Sequence, residues 1–377
     1  MGKIDELIQQ YCPDGVEYKP LGKVCLMERG TSATKGTMQS GEIPVISGGR
    51  QPSFYCNQSN RTGETITVAG SGAGAGYVQY WNEPIFVCDA FSIKGSDNII
   101  TKFVYYFLAS IQEQIYSTKK GGGVPHVHIS SIDKFKIPLP PLPVQEAIVN
   151  ILDRFTVYAA ELQAELQARQ QQYNYYRDTL LSFEGREDVQ WKKLGEVGKV
   201  CMCKRILKEQ TSLSGDVPFF KIGTFGGKAD AYISQELFET YKAKYSYPKK
   251  GDILISAAGT IGRTVVFDGC PSYFQDSNIV WLKHDESVVL NSYLKYCYSL
   301  NPWAVSTGGT IARLYNDNIL NAIIPIPPLS VQQRIVDILD RFDTLVNDLS
   351  QGLPAEIEAR QQQYEYYRDR LLTFNRK

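Results

Sequence analysis

The chain contains itself twice. Residues 137–155, IPLPPLPVQEAIVNILDRF, return at 324–342 as IPIPPLSVQQRIVDILDRF, and ARQQQYNYYRD at 168–178 returns at 359–369 as ARQQQYEYYRD. Weaker echoes extend the match: VEYKPLGKV at 16–24 answers VQWKKLGEV at 189–197, Gly63-Glu64 answers Gly251-Asp252, Asp89 answers Asp276, and Gly121-Gly122 answers Gly308-Gly309. An internal repeat decides architecture before any local reading does. Each copy is a variable part followed by a nearly constant tail, so this sequence must build the same unit twice with two different surfaces.

Both variable parts, roughly 16–136 and 189–323, read as mostly β. Runs such as Thr65-Ile66-Thr67-Val68 and Ile253-Leu254-Ile255-Ser256 are short and punctuated by Gly, Asn, Asp and Pro, the pattern of strands joined by tight turns. A helix is expected at 101–116 and at its counterpart 290–300. Nothing alternates as βαβ.

The tails read as helices. Pro138, Pro140, Pro141 and Pro143 cannot lie inside a helix but suit its first turn. Beyond them Ile148, Leu152, Phe155, Ala159, Leu162, Leu166, Arg169, Tyr173, Tyr176, Leu180 and Phe183 step in 4-3 alternation, a heptad seam that only Ala159 and Arg169 weaken. The second tail runs Ile335, Leu339, Phe342, Val346, Leu349, Leu353, Ile357, Arg360, Tyr364, Tyr367, Leu371, Phe374. Its extra step of four is a stutter, and Gly352 and Pro354 at that point predict a kink or break. The two tails are each other's natural partners, antiparallel about a pseudo-twofold axis, along a rod of roughly 57 Å. The segment Ile4–Tyr11 then lies near Leu371–Asn375. The expected fold is α+β. It has an N-terminal helical segment (1–15), a first β-rich domain (16–142), a central helix (143–185), a second β-rich domain (186–328) and a distal helix (329–377).

At this point the residues match a family. A β-rich variable domain, then P-L-P-P-L or P-I-P-P-L, then V-Q-x-x-I-V-x-I-L-D-R-F, then A-R-Q-Q-Q-Y-x-Y-Y-R-D-x-L-L, all occurring twice, resembles the specificity subunit of type I restriction–modification systems over essentially the whole chain. The resemblance implies two target-recognition domains, each binding one half of an asymmetric, interrupted DNA sequence, with the helices as a ruler for the gap. It implies two methyltransferase subunits docked on the helical core, modifying adenine N6 in each half, and motor-nuclease subunits that join to cut unmodified DNA. S-adenosylmethionine, ATP and magnesium are then expected on those partners; this chain catalyses nothing and needs no cofactor.

The charge balance fits that division of labour. Lys plus Arg and Asp plus Glu both number 40, whereas nonspecific DNA affinity comes from many cations on phosphates. A neutral reader needs partners to hold the duplex. Base reading needs side chains on protruding loops, and three aligned loop pairs qualify. Lys119-Lys120-Gly121-Gly122-Gly123 leads to His126 and His128, and Thr307-Gly308-Gly309 leads to Arg313 and Tyr315. Gly48-Gly49-Arg50 answers Gly226-Gly227-Lys228, and Gly70–Tyr77 answers Gly259–Arg263. For the glycines the competing reading is a tight turn, and for the cations a solvated surface charge. The candidates for DNA contact are Arg50, Lys119, Lys120, Gly121, His126, His128, Lys228, Arg263, Arg313 and Tyr315. Those for the helix–helix seam are Leu152, Phe155, Leu162, Leu166, Tyr173, Tyr176, Leu180, Leu339, Phe342, Leu349, Tyr364, Tyr367 and Leu371.

Other chemistries find little support. His126 and His128 lie on one strand face, but no carboxylate or thiol nearby completes a metal site, and Cys201 and Cys203 lack a second close pair. The eight cysteines are scattered as reduced cytosolic thiols are. Asn301-Pro302-Trp303 lacks the second proline of a methylase motif. GSGAGA at 70–75 is followed by a strand pattern where a dinucleotide site demands a helix, and no P-loop occurs. No apolar run approaches 18 residues, and the charged N-terminus is unlike a secretory leader, so a cytoplasmic, soluble protein is expected. The remaining alternative is an interaction scaffold, two β modules on a coiled coil binding protein or carbohydrate.

Overall fold

The computed structural model describes residues 2–121, 123–183, 185–305 and 313–377. They form two compact units, Met1–Ala164 with Ala355–Lys377, and Glu165–Pro354.

In the first unit, helix α1 (Gly2–Tyr11) precedes β1 (Tyr18–Pro20), the single turn α2 (Leu21–Val24), β2 (Cys25–Arg29), β3 (Ile43–Ile46), β4 (Phe54–Cys56), β5 (Thr65–Ala69), β6 (Val78–Trp81), β7 (Phe86–Val87) and β8 (Ala90–Gly95). Helices α3 (Thr101–Ser110), α4 (Gln112–Ser117) and α5 (Ile129–Ile132), strand β9 (Lys136–Pro138) and the long helix α6 (Leu142–Ser182) follow. The strands make a four-stranded sheet in the order β2-β8-β5-β6, a three-stranded sheet β4-β3-β7 whose β3–β7 pair is parallel, and the hairpin-like pair β1-β9. Strand β5 is TITVA, β-branched and buried at every position, as suits a central strand. Prolines 20, 44 and 138 fall in the short, two- and three-stranded sheets, where a missing N–H is tolerated.

The second unit repeats that topology with β10 (Gln190–Lys193), α7 (Leu194–Val197), β11 (Gly198–Met202), β12 (Val217–Phe220), β13 (Tyr232–Ile233), an added helix α8 (Gln235–Lys244), β14 (Ile253–Ser256), β15 (Thr264–Val266), β16 (Tyr273–Phe274) and β17 (Ile279–His284). Helices α9 (Asn291–Ser299) and α10 (Asn316–Leu320), strand β18 (Ile323–Ile326) and helix α11 (Leu329–Asn347) complete it. The orders β11-β17-β14-β15, β13-β12-β16 and β10-β18 map strand for strand onto the first unit. Helix α12 (Leu353–Leu371) then belongs to the first unit again.

Each variable part is clamped to its constant helix by the same devices. Gln145 is wholly buried and accepts from the Ile100 amide while its Nε2 donates to the Asn98 and Pro140 carbonyls (2.9, 3.1 and 2.8 Å). Gln332, equally buried, accepts from Leu290 N and donates to the Val288 and Pro327 carbonyls (2.9, 3.0 and 2.8 Å). A tyrosine hydroxyl then reaches an aspartate one helical stretch further on, Tyr106 to Asp153 at 2.5 Å and Tyr296 to Asp340. Lysine pairs reinforce them, Lys102–Asp153 at 2.8 Å and Lys295–Asp343 at 2.6 Å.

Within each unit the helical tails run antiparallel. In the first, Phe155 packs on Tyr364 and Tyr367, the Arg360 guanidinium lies over Tyr158, and Leu152 shares a core with Leu371. In the second, Tyr176 stacks on Phe342, and Tyr173 and Leu180 join the core of Leu339. Leu162 and Leu166 are half-buried and belong to neither core cluster. Arg169, read as a weak point of the seam, is held along its own helix by Glu165 and Gln172 (both 2.9 Å), as Arg360 is by Glu356 and Gln363 (both 2.8 Å). The chain termini of the first unit meet: Val16 N donates to Asn375 O at 2.8 Å and the Lys377 amide to Val16 O at 3.1 Å.

Two expectations require correction. The distal segment is broken between Asn347 and Leu353, so Leu349 leaves the seam and is 77% exposed. Gly352 is packed there so tightly that a Cβ would sit 2.4 Å from the Thr344 carbonyl. The single helix expected over 101–116 is two, because Ile111 leaves helical geometry (φ −108°, ψ 22°). That break swings Gln112 onto the β-layer, where it accepts from Val78 N and donates to Gly76 O (3.1 and 2.8 Å). All eight cysteines are free thiols, and Cys270 alone is exposed.

Candidate nucleic-acid interface

The described parts of the aligned loops, distant in sequence, come together beside each four-stranded sheet. In the first unit the segment after β5 meets the 120–128 hairpin: Gly72 N donates to Pro125 O at 3.1 Å and Val127 N to Gly70 O at 2.9 Å. Lys120 and His126 exchange both backbone hydrogen bonds (2.9 and 2.8 Å), closing the hairpin tip. Gly121 stands there at φ +109°, a region other residues avoid. The Gly48–Arg50 loop seats on the same cluster. A Cβ on Gly48 would lie 2.2 Å from Ser71 O, and one on Gly74 would lie 2.3 Å from Gly48 O. Gln79 Nε2 donates to Arg50 O at 2.9 Å, and the Arg50 guanidinium lies 4.9 Å from the Tyr77 ring centre.

This gathers six of the candidate residues. Arg50, Lys120, Gly121, His126 and His128 are exposed, and Lys119 lies half-buried with its ammonium 4.1 Å from the Tyr116 ring. The His126 and His128 rings stand parallel, 6.1 Å apart, on the solvent side of the strand-like segment between them. Sequence reasoning passed over Ser71 and Asp89, whose side chains hydrogen-bond inside the cluster, although Asp89 was already visible as a residue shared by both copies.

In the second unit the cluster forms from different side chains. Arg263 Nη2 donates to Gly226 O at 3.3 Å, Leu314 N to Ala257 O at 2.9 Å, and Arg313 Nη2 to Ser277 O at 2.8 Å. Ile222 N donates to Gln275 Oε1 at 2.9 Å, and Arg205 pairs with Asp276, the counterpart of Asp89, at 2.9 Å. Arg263, Lys228 and Tyr315 are exposed, and Arg313 is half-buried. The Thr307-Gly308-Gly309 loop falls outside the described residues. Arg205 and Gln275 were missed; only the adjacent cations Lys204-Arg205 after β11 marked the first of them in the sequence.

Both clusters therefore present fixed donors (guanidinium, amide, imidazole) beside acceptors (Asp89, Asp276, backbone carbonyls). Reading base edges requires such a mixture, and the second cluster differs from the first. No group of three His, Cys, Asp or Glu able to hold a metal occurs among the described residues.

The profile described as "Type I restriction modification DNA specificity domain" matches residues 13–169 and again 186–359. The chain belongs to this specificity-subunit family. A putative type I restriction enzyme specificity subunit of Haemophilus influenzae is 46% identical over 374 residues, covering 96% of each chain. The specificity subunit of an Escherichia coli type I restriction enzyme is 32% identical over 396 residues, covering 95% of this chain and 94% of its own. In fold, the specificity subunit resembles the crystal structure of a type I restriction–modification S subunit from M. genitalium (TM-score 0.63, 17% identity, 96% and 97% coverage). It likewise resembles a chain from a structural study of type I system assembly and conformational transition (TM-score 0.58, 18% identity, 96% and 98% coverage). DNA-sequence specificity is the general role of this subunit family, and each profile match spans one β-rich domain with its helical tail.

Proposed function

We propose that the chain reads a two-part, interrupted and asymmetric DNA sequence, one half through each loop cluster, and directs partner subunits to it. The observation that carries this reading is the repeated topology with unlike clusters. Equivalent segments come together in both units, with Arg50, Lys120, His126 and His128 in one and Lys228, Arg263, Arg313 and Tyr315 in the other. Unlike reading surfaces select unlike half-sites. Lys119, Gly121 and the exposed cations position the duplex through phosphates, and the exposed imidazoles, guanidiniums and Tyr315 face base edges. The chain is non-catalytic in this scheme. Two methyltransferase subunits, bearing S-adenosylmethionine, dock on the helical tails and methylate adenine N6 in each half, and restriction subunits with ATP and magnesium join them. The domain limits 16–142 and 186–328 are then the two exchangeable readers, and the complex works in the cytoplasm.

Sequencing of N6-methyladenine in host DNA, with this gene intact or deleted beside its methyltransferase partner, tests the proposal. Deletion is expected to erase methylation at one interrupted, asymmetric motif. An unchanged methylome in cells making both proteins would mean the chain does not direct modification, and would favour a scaffold.

The helical segment offers a second test. Ala160-Glu161-Leu162-Gln163 is followed by Ala164-Glu165-Leu166-Gln167. Deleting one of these blocks shortens the helix by about 6 Å, and the methylated motif is expected to keep both half-sites while its gap changes by one or two base pairs. The parental gap in the deletion strain would end the ruler model.

A further inference from the structure

The second unit carries a basic surface that the first lacks. Helix α8 and the segment after it are absent between β4 and β5, and they bring Lys242, Lys249 and Lys250 to a cleft also lined by Tyr245 and Lys283. Lys283 on β17 stands directly opposite Lys199 on β11. Two like charges in register on one sheet face repel, so this arrangement favours an anion between or above them. At the matching register of the first unit stand Leu26 and Lys94, and Lys94 is held by the Thr62 carbonyl at 2.6 Å.

None of these second-unit lysines makes an ion pair among the described residues, and all are exposed. The neighbouring carboxylates are engaged otherwise: Glu239 by Gln235, Asp252 by the Lys249 amide, and Asp268 by the Cys270 amide. The lysines therefore have no direct ion-pair partner among the described residues, and Lys242 rests over the Phe238 and Tyr247 rings (5.2 and 5.4 Å), in a chain whose net charge is zero. The cleft is also joined to the reading cluster. Lys204 lies 5.2 Å over the Tyr245 ring of the cleft, and its neighbour Arg205 pairs with Asp276 in the cluster. Lys283 lies on β17, whose start lies just past Ser277 of the cluster, so the cleft and the cluster are about 20 Å apart along one extended strand.

We infer that Lys199, Lys204, Lys242, Lys249, Lys250 and Lys283 form a phosphate-binding track. It leads away from the second reading cluster and grips the DNA backbone beside the half-site without reading bases. The inference rests on the DNA-reading function proposed above. It makes the two units unequal: the second adds, beside the cations of its reading cluster, a set of backbone contacts with no counterpart in the first.

The test is a salt titration of DNA binding by the full chain, assembled with its methyltransferase partner, comparing the parental protein with a Lys242→Gln/Lys249→Gln/Lys250→Gln/Lys283→Gln variant. The probes are a duplex carrying the methylated motif and an unrelated duplex. The slope of log affinity against log salt concentration is expected to fall by roughly 2–4 in the variant. Affinity for both duplexes should drop by the same factor, leaving their ratio unchanged. The corresponding Lys→Arg variant keeps the charge and should retain the parental slope, which a merely structural role for the lysines would not require; matched melting temperatures exclude misfolding. An unchanged slope in the Gln variant, with sequence preference intact, overturns the track and leaves the reading function standing. Loss of methyltransferase assembly with an unchanged slope also overturns it, and assigns the lysines to an acidic protein surface. Absence of sequence preference in the parental complex would instead remove the reading function itself.

Discussion

If each loop cluster reads one half-site, as proposed, a Gly48→Ala chain is expected to lose recognition of one half of its target and keep the other. The added methyl would lie 2.2 Å from the Ser71 carbonyl oxygen, far inside contact distance and against backbone rather than a flexible side-chain end. The Gly48–Arg50 loop must then separate from the segment after β5, carrying Arg50 off Tyr77 and breaking the hydrogen bond from Gln79. Each base pair no longer read costs about 1–3 kcal/mol, so loss of two contacts weakens specific binding by roughly 30-fold or more. The second cluster contains none of these atoms. Competition binding with duplexes scrambled in one half at a time should show discrimination lost in one half and retained in the other. Parental discrimination at both halves would show that the cluster is not the reader.

Replacing Gln332 with Leu destabilises the second unit by roughly 3–5 kcal/mol, a large share of the 5–15 kcal/mol that holds an ordinary domain together. Its side chain satisfies the Leu290 amide and the Val288 and Pro327 carbonyls in a site closed to water. A leucine fills the space and leaves all three without partners. Denaturant titration gives the loss, and hydrogen exchange at the Leu290 amide locates it. Gln145→Leu should do the same to the first unit at Ile100. A change below 1 kcal/mol in both variants would mean that water reaches these sites.

The identical glutamines show what a repeat in sequence can and cannot reveal. Each follows the proline run in the V-Q pair of a tail and looks like a polar residue on a helix face. Its burial depends on the loop before α3 or α9, more than forty residues away. Where contacts follow from helical period alone, the side chains meet within a unit, as Phe155 meets Tyr367 and Tyr176 meets Phe342. The heptad reading failed at Leu349, because the break expected near Gly352 and Pro354 already ends the helix at Asn347 and leaves Leu349 in the connection. Half of each loop cluster was legible because glycines and cations mark turns. Ser71, Gln79 and Gln275 carry no such mark, being ordinary polar residues until the strands set their directions.

That the chain is one unit built twice, that its tails are amphipathic helices and that its variable parts are β-rich could all be read from the residues, because periodicity and repetition are properties of neighbours along the chain. Which segments meet, that Asp89 and Asp276 lie where they do, and that lysines from β11, the α8 segment and β17 share one surface emerged with the folded chain. Those juxtapositions arise from antiparallel register and sheet order, which bring together residues dozens of positions apart through backbone hydrogen bonds that every residue makes alike and no side chain announces.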